Sequence, residues 1–442
     1  MACRIAVFGT GYLGATHAAC MAELGHEVLG VDVDAEKLAR LSTGEAPFFE
    51  PGLNEVLKAN IDASRLSFTS SYSEAAEFAD IHFIAVATPQ KRGELAADLS
   101  YVDAVVTTLA PLLRRPTVIF GKSTVPVGTA ARLADMLAEL APIGQEAELA
   151  WNPEFLREGF AMQDTLHPDR IVLGVDPQRQ GRAEAVAREV YSTIIAEGSP
   201  FVVTDRETAE LVKTAANAFL ATKVSFINAM AEVCEAAGAD VVQLADAIGY
   251  DTRIGRRFLN AGIGFGGGCL PKDIRAFMAR AGELGANNAL MFLREVDSIN
   301  MRRRTRMVEM AREVAGGSLI GTRVAVLGAA FKPDSDDIRD SPALNIAGQI
   351  QLQGASVTVY DPKAMDNSRI TFPTLDYAED IRKACEGADV TLVLTEWEEF
   401  RTLDPRDLNS LVRQRRIVDG RNCLDRERWR RAGWVYRGLG RP

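Results

Sequence analysis

The 442-residue sequence predicts two doubly wound parallel α/β sheets joined by a long central helix. Short apolar runs alternate with amphipathic stretches through the first third, one unbroken helical pattern covers 206–237, and the last third repeats the order of the first. Buried runs of strand length separated by helical patterns favour a parallel sheet with helices on both faces. The expected strands of the first sheet are 4–8, 27–31, 66–69, 81–86, 117–120 and 148–151.

In the long helix, Leu211, Ala215, Phe219, Ile227, Met230 and Val233 take apolar positions, and Gly238 is its expected stop. At 1.5 Å per residue such a helix is about 48 Å long, enough to connect two domains and carry a subunit interface. Beyond it, RVAVLGAA at 323–330 echoes RIAVFGTG at 4–11, and GASVTVYD at 354–361 echoes GHEVLGVD at 25–32. Ala388, Asp389 and Val390 likewise repeat Ala79, Asp80 and Ile81. The expected domains are 1–204, 205–316 and 317–442, with Gly316 and Gly317 in the second linker.

Charge and composition narrow the function. A net charge of −10 argues against a broad nucleic-acid or anionic-membrane surface and favours a small substrate. Six cysteines without a CxxC pair, in a chain this long, suit a reducing cytoplasm better than a disulfide framework. No apolar run approaches a membrane span, the N-terminus lacks the order of a signal peptide, and no Cys/His cluster suggests a metal.

Four segments carry chemistry. Gly9, Gly11 and Gly14 have the GxGxxG spacing after a strand and before a helix, and Asp32 closes the next strand, so this is the context of a Rossmann-like dinucleotide site. A carboxylate at Asp32 accepts ribose hydroxyls and repels a 2′-phosphate, which favours NAD over NADP. In the second sheet Gly328-Ala329-Ala330 lacks the later glycines, so that turn is expected to have lost the pyrophosphate. Lys213 and Asn217 share one face of the long helix among alanines, either as a solvated stripe or as polar groups meeting a ligand.

The loops at 121–128 and 151–159 follow strands; the second holds Glu154 and Glu158. The fourth segment, GFGGGCLPKD at 264–273, sets Cys269 between a glycine run and a helix start. Gly264, Gly266, Gly267 and Gly268 are expected to supply positive φ, Pro271 suits the first helical position, and the helix is expected to run on from Lys272. A thiolate there is favoured by the helix dipole and by Lys272.

Together these segments resemble the UDP-glucose/GDP-mannose dehydrogenase family over the whole chain and in order. The resemblance rests on GTGYLG at 9–14, VATP at 86–89, STVPVGT at 123–129, NPEFLREG at 152–159, ELVKTAANAFLA at 210–221, YDTRIG at 250–255, the cysteine loop, FKPDSDDIRDSP at 331–342 and DGRN at 419–422. It is closest to bacterial members acting on UDP-glucose. The family implies two NAD-dependent hydride transfers from C6 of a nucleotide sugar, giving a uronate.

The resemblance implies that Lys213, Asn217 and a water held by Asp273 and Thr124 serve the alcohol oxidation, that Cys269 forms a thiohemiacetal and then a thioester, and that Glu154 activates the hydrolytic water. It places Gly9, Gly11, Tyr12, Leu13, Gly14, Asp32, Lys37, Thr88, Thr124, Glu158 and Arg339 against the cofactor. For the nucleotide sugar it points to Phe155, Leu156, Arg157, Lys213, Asn217, Phe258, Leu259, Asn260, Gly262, Gly266, Phe331, Lys332 and Arg421, with Arg253 reaching the site of a second subunit in a homodimer or larger homo-oligomer.

Gly268 and Leu270 stand where serine and phenylalanine are common, and Asn260 where lysine can occur. GDP-mannose or dTDP-glucose are the alternative substrates. A two-electron β-hydroxyacid dehydrogenase would not need Cys269 or the second sheet, and a non-catalytic NAD-binding regulator would need neither Cys269 nor Lys213, Asn217 and Asp273 together.

Overall fold

The computed structural model describes residues 2–178 and 181–442. They form two compact units, Met1–Ala216 with Arg275–Gly285, and Asn217–Ile274 with Ala286–Pro442. In the first unit the strands are β1 (Arg4–Phe8), β2 (Glu27–Val31), β3 (Leu66–Thr69), β4 (Ile81–Ile84), β5 (Thr117–Gly121), β6 (Ala147–Trp151), β7 (Ile171–Val175) and β8 (Phe201–Asp205). They lie in the order β3-β2-β1-β4-β5-β6-β7-β8. The chain winds outward from β1 to β3, then returns to start again at β4, so a topological switch point falls between β1 and β4. Ligands of open α/β sheets bind at the strand ends beside such a point.

The first sheet departs from the parallel expectation at one seam. β6 meets β7 antiparallel through Trp151 and Gly174, while β7 and β8 pair parallel to each other. A parallel neighbour would require the chain after β6 to cross to the opposite edge before returning. The connection 152–170 does not cross; it stays at the edge where β6 ends and where β7 begins. NPEFLREG is therefore left at the ligand edge of the sheet instead of being used to build a crossover.

In the second unit β9 (Arg323–Leu327), β10 (Ser356–Tyr360), β11 (Asp376–Tyr377), β12 (Val390–Val393), β13 (Arg416–Asp419) and β14 (Val435–Gly438) form an all-parallel sheet in the order β11-β10-β9-β12-β13-β14. Strand for strand this is the order of β1 to β6, as the sequence echoes predicted.

The helices that position functional groups are α1 (Tyr12–Glu23), α2 (Thr129–Leu140), α3 (Ala161–Leu166), α4 (Arg206–Ala237), α5 (Leu270–Glu283) and α6 (Met291–Ala315). α4 has the predicted bounds and ends at Gly238, whose φ is +73°. Its apolar residues divide into two sets. Ile227, Ala231 and Cys234 are buried, whereas Phe219, Phe226 and Val233 are 66%, 48% and 57% exposed. α5 begins at Leu270, so Pro271 occupies its second position and not the first. Among the described residues, no helix is long and apolar enough to cross a membrane.

Candidate active site

The dinucleotide turn is shaped by sterics. At Gly9, φ is +89° and a Cβ would lie 2.8 Å from the Val86 side chain; at Gly14 it would lie 1.7 Å from the Gly9 carbonyl oxygen. Both glycines are required by the turn and by helix–strand contact. Gly11 differs, because a Cβ there would meet nothing within 4 Å. Its open side is what a pyrophosphate approaching the start of α1 needs.

Asp32, at the end of β2, accepts hydrogen bonds at Oδ2 from the Thr10 N–H (2.8 Å) and Lys37 Nζ (2.9 Å), and at Oδ1 from the Asp34 N–H (3.1 Å). Burial raises the pKa of this carboxyl, but these donors outweigh it and hold the group below its ordinary value. Thr88 ties the neighbouring loop down by donating from Oγ1 to the Thr124 carbonyl at 2.8 Å. These residues fit NAD.

The matching turn of the second sheet is held by a more deeply buried carboxylate. Asp361, counterpart of Asp32, is 1% exposed and accepts at Oδ2 from the Ala329 and Ala330 N–H groups and from the Trp397 indole (2.8, 3.0 and 3.1 Å). No helix starts directly after β9 to offer free N–H groups.

Within the first unit, Lys213 and Glu154 form an ion pair at 2.9 Å with side chains 7% and 11% exposed. The solvated-stripe reading of Lys213 is therefore wrong. Glu154 Oε2 also accepts from the Leu156 N–H at 2.7 Å, which folds the loop around the carboxylate. Phe155 lies beside the pair, its ring centroid 5.7 Å from Lys213 Nζ and 3.8 Å from the Arg170 guanidinium carbon. Arg157 is exposed and bidentate to Asp164 (2.8 and 2.6 Å), and Glu158 is buried. Tyr12, at the start of α1, donates its hydroxyl to Glu50, which accepts from the Gly159 and Ala161 N–H groups at the start of α3. The glycine turn and the NPEFLREG loop are thus held by one buried carboxylate.

In the second unit Cys269 is exposed and directly precedes α5, its carbonyl accepting the first helical bond from the Asp273 N–H at 2.9 Å. Asp273 is 2% exposed and accepts from Asn217 Nδ2 and Lys272 Nζ, both at 2.7 Å. Asn217 is buried as well, so it too is no solvated stripe.

The glycine run behaves differently from expectation. Only Gly264 and Gly267 have positive φ, +93° and +83°. Gly266 and Gly268 are needed for space: a Cβ would lie 2.3 Å from the Asp340 carbonyl oxygen at Gly266 and 2.2 Å from the Arg339 guanidinium at Gly268.

The same unit gathers most of the residues expected at the nucleotide sugar. Arg421 donates to the carbonyls of Gly264 (3.1 Å) and Phe331 (3.0 Å), and Lys332 Nζ lies 5.6 Å from the Phe331 ring centroid. Gly262 donates to Asn228 Oδ1 at 2.9 Å, Leu259 is buried, and the exposed Asn260 accepts from Arg256. Phe258 has φ +66°, a costly conformation for an aromatic residue. Arg253 stands apart: its side chain is 87% exposed and paired with Asp251. Among the described residues, no group of three or more His, Cys, Asp or Glu side chains is placed to hold a metal ion.

Several groups adjoining these residues carry no local sequence signal. Arg170 stacks on Phe155, and Asn300 pins the cysteine loop by accepting from the Phe265 N–H (2.7 Å) and donating to its carbonyl (2.9 Å). Glu210 caps α2 from α4, accepting from the Gly128 and Ala130 N–H groups at 2.7 and 2.6 Å. Burial pushes its carboxyl up to about 7 despite those donors. Only the neighbourhood of Glu210 to Lys213 in ELVK could have drawn attention to it.

Models of one family match three stretches in succession: its NAD binding domain over residues 3–195, its central domain over 207–302 and its UDP binding domain over 325–426. The chain is 42% identical to a UDP-glucose 6-dehydrogenase of Rhizobium meliloti, covering 99% of this chain and 100% of that one. It is also 42% identical to the UDP-glucose 6-dehydrogenase TuaD of Bacillus subtilis, with 99% and 93% covered. The solved structure of a UDP-glucose dehydrogenase from Pyrobaculum islandicum superposes with a TM-score of 0.91 at 36% identity, covering 100% of this chain and 98% of that one. With these matches running from the glycine turn to the second sheet, the chain belongs to the UDP-glucose/GDP-mannose dehydrogenase family.

Proposed function

We propose that the protein oxidises C6 of UDP-glucose to the carboxylate of UDP-glucuronate, in two successive hydride transfers to NAD. The exposed Cys269 thiol at the start of α5 carries this reading, because a nucleophile at that point is what a second oxidation needs and a single alcohol oxidation does not. NAD, when bound, accepts hydride from C6. The chain's own groups do the rest. The water assigned to Asp273 and Thr124 takes the alcohol proton, and Lys213 and Asn217 stabilise the alkoxide by donating to it. The Cys269 sulfur then adds to the C6 aldehyde, and the oxyanion of the thiohemiacetal is held by the same lysine and amide. Loss of the second hydride leaves a thioester. Glu154 removes a proton from the water that attacks it, releasing the carboxylate and restoring the thiol.

UDP-glucose is favoured over GDP-mannose by the substrates named for the relatives at 42% identity. Phe155, Leu156, Arg157, the 258–266 loop, Phe331, Lys332 and Arg421 are assigned to the nucleotide sugar; Gly9 to Gly14, Asp32, Lys37, Thr88, Thr124, Glu158 and Arg339 to NAD. The domains are assigned as 1–204, 205–316 and 317–442, and the compartment as the cytoplasm. The protein acts as a homodimer built on α4. Support comes from Phe219, Phe226 and Val233, exposed at intervals of seven residues as in a helix–helix seam, and from Arg253, exposed and available to a second copy.

The test is a panel of UDP-, dTDP- and GDP-sugars followed by NADH absorbance. Two NADH per UDP-glucose are expected, and Cys269→Ser is expected to stall after the first oxidation or at a trapped adduct. One NADH with free aldehyde, or full turnover by Cys269→Ala, would exclude the covalent route.

A further inference from the structure

Lys122 follows β5 directly and is 7% exposed. Its ammonium donates to Asn152 Oδ1 at 3.1 Å and to the Tyr191 hydroxyl at 3.4 Å, and it faces the rings of Phe83 and Tyr191 at 5.8 and 5.9 Å. Among the described residues, no carboxylate lies within ion-pair distance of it. A buried ammonium without a counter-ion opposes folding, and a methionine would fill similar space without that penalty. The fold alone gives no reason to keep a charge here.

The charge does connect to the candidate acid–base pair. Asn152 receives Lys122 and the Tyr191 hydroxyl (2.7 Å) on Oδ1 and donates Nδ2 to the Val172 carbonyl at 2.8 Å. Its own N–H donates to the Gly121 carbonyl at 2.8 Å. With every polar atom of that side chain engaged, the segment leading to Glu154, two residues on, has one position. Glu154 is also the main charge attracting Lys122, and Lys213 the charge opposing it. Lys122 thus adds a second ammonium to the surroundings of the carboxylate that Lys213 pairs with.

We propose that Lys122 is a positioning residue for the Glu154–Lys213 pair, fixing Glu154 through Asn152 and adding a positive charge to its surroundings. This rests on the roles given above to Glu154 and Lys213. Burial pushes the ammonium down to about 8, partly offset by Glu154 and reinforced by Lys213. The other titratable groups facing it are the Tyr191 phenol and the buried His17 imidazole of α1, which burial keeps neutral.

Lys122→Met tests the assignment. Its melting temperature at pH 7 is expected to equal or exceed that of the wild type, while kcat for NADH formation falls about tenfold or more and KM changes little. The wild-type kcat is expected to decline above pH about 8, and the variant to lack that decline. Tyr191→Phe, which keeps the charge but removes one donor to Asn152, is expected to lower kcat less and to retain the decline. An unchanged kcat in Lys122→Met, or a lower melting temperature with normal kcat per folded molecule, would overturn the proposal.

A second measurement needs no turnover. Below pH about 8 the lysine is charged both folded and unfolded; above it the folded protein loses the proton while the unfolded chain keeps it to about 10.5. Wild-type stability relative to Lys122→Met is therefore expected to rise between pH 7 and 9.5. A gap that does not move with pH would show that the folded lysine holds its proton as a solvated one does, so that burial does not act on its charge, and overturns the proposal. If the wild type makes no NADH from UDP-glucose, the substrate reading fails while this measurement still decides the state of Lys122.

Discussion

Lys213 Nζ lies 2.9 Å from Glu154 Oε1, and both side chains are nearly closed to solvent. Removing one member of a buried pair leaves the other charge uncompensated, at a cost of about 3 kcal/mol. Glu154→Gln is therefore expected to be destabilised by that order in urea titration. With Glu154 proposed as the base for hydrolysis, the variant should accumulate the Cys269 thioester when mixed with UDP-glucose and NAD. Intact-protein mass spectrometry reads the adduct; normal turnover with no added mass would assign the hydrolytic base elsewhere.

Asp32 is expected to couple cofactor choice to acid stability. Its folded-state carboxyl lies below the ordinary value of 3.8, so its stabilisation is complete above that pH and is lost as pH falls through the lower, folded value. Asp32→Asn is expected to narrow its stability gap to the wild type on going from pH 6 to pH 3. The same variant should lose part of its preference for NAD, because the carboxylate that repels a 2′-phosphate is gone. Denaturant midpoints at the two pH values and the ratio of kcat/KM for NAD and NADP check the two halves separately.

Gly268 and Arg339 compete for one space, since a Cβ at 268 would come within 2.2 Å of the guanidinium carbon. The backbone at 268 does not require glycine, so Gly268→Ser should fold and displace Arg339 from its bidentate contact with Asp337 (2.9 and 2.6 Å). With Arg339 assigned to the cofactor, NAD affinity is expected to fall about tenfold, a change of about 1.4 kcal/mol measurable by calorimetry. Gly268→Ala should weaken binding in the same direction. Unchanged affinity in both variants would remove Arg339 from the cofactor site.

What the sequence disclosed depended on the kind of physical signal. The echo between residues 4–32 and 323–361 is carried by buried strands and their turns, so it foretold the common strand order of both sheets. Strand direction is not written in periodicity, and the antiparallel seam at Trp151 and Gly174 depends on a connection that stays at one edge. Apolar spacing showed that α4 has apolar faces, but Phe219 and Ile227 look alike in sequence while one is exposed and the other buried. The burial of Lys122 and Glu210 was not legible, because burial of a charge follows from neighbours distant in sequence. Cys269 was legible because glycines, a helix start and a thiol are adjacent in the chain.

Phe219, Phe226 and Val233 recur every seven residues on α4 and are all substantially exposed. An apolar seam of that spacing is stable in water when another helix covers it, and a second copy of α4 would place the three residues against themselves about a two-fold axis. Phe226→Glu puts like charges at the centre of such a seam and is expected to yield monomers in sedimentation analysis. If Arg253 serves the neighbouring site, the monomers should lose kcat/KM for UDP-glucose. A mixture of Arg253→Ala with Cys269→Ala chains should regain part of the activity that either lacks alone, since one of its two sites combines an intact Cys269 with an intact Arg253 from the other chain. A monomeric wild type, or a Phe226→Glu variant that remains dimeric, would rule out the α4 seam.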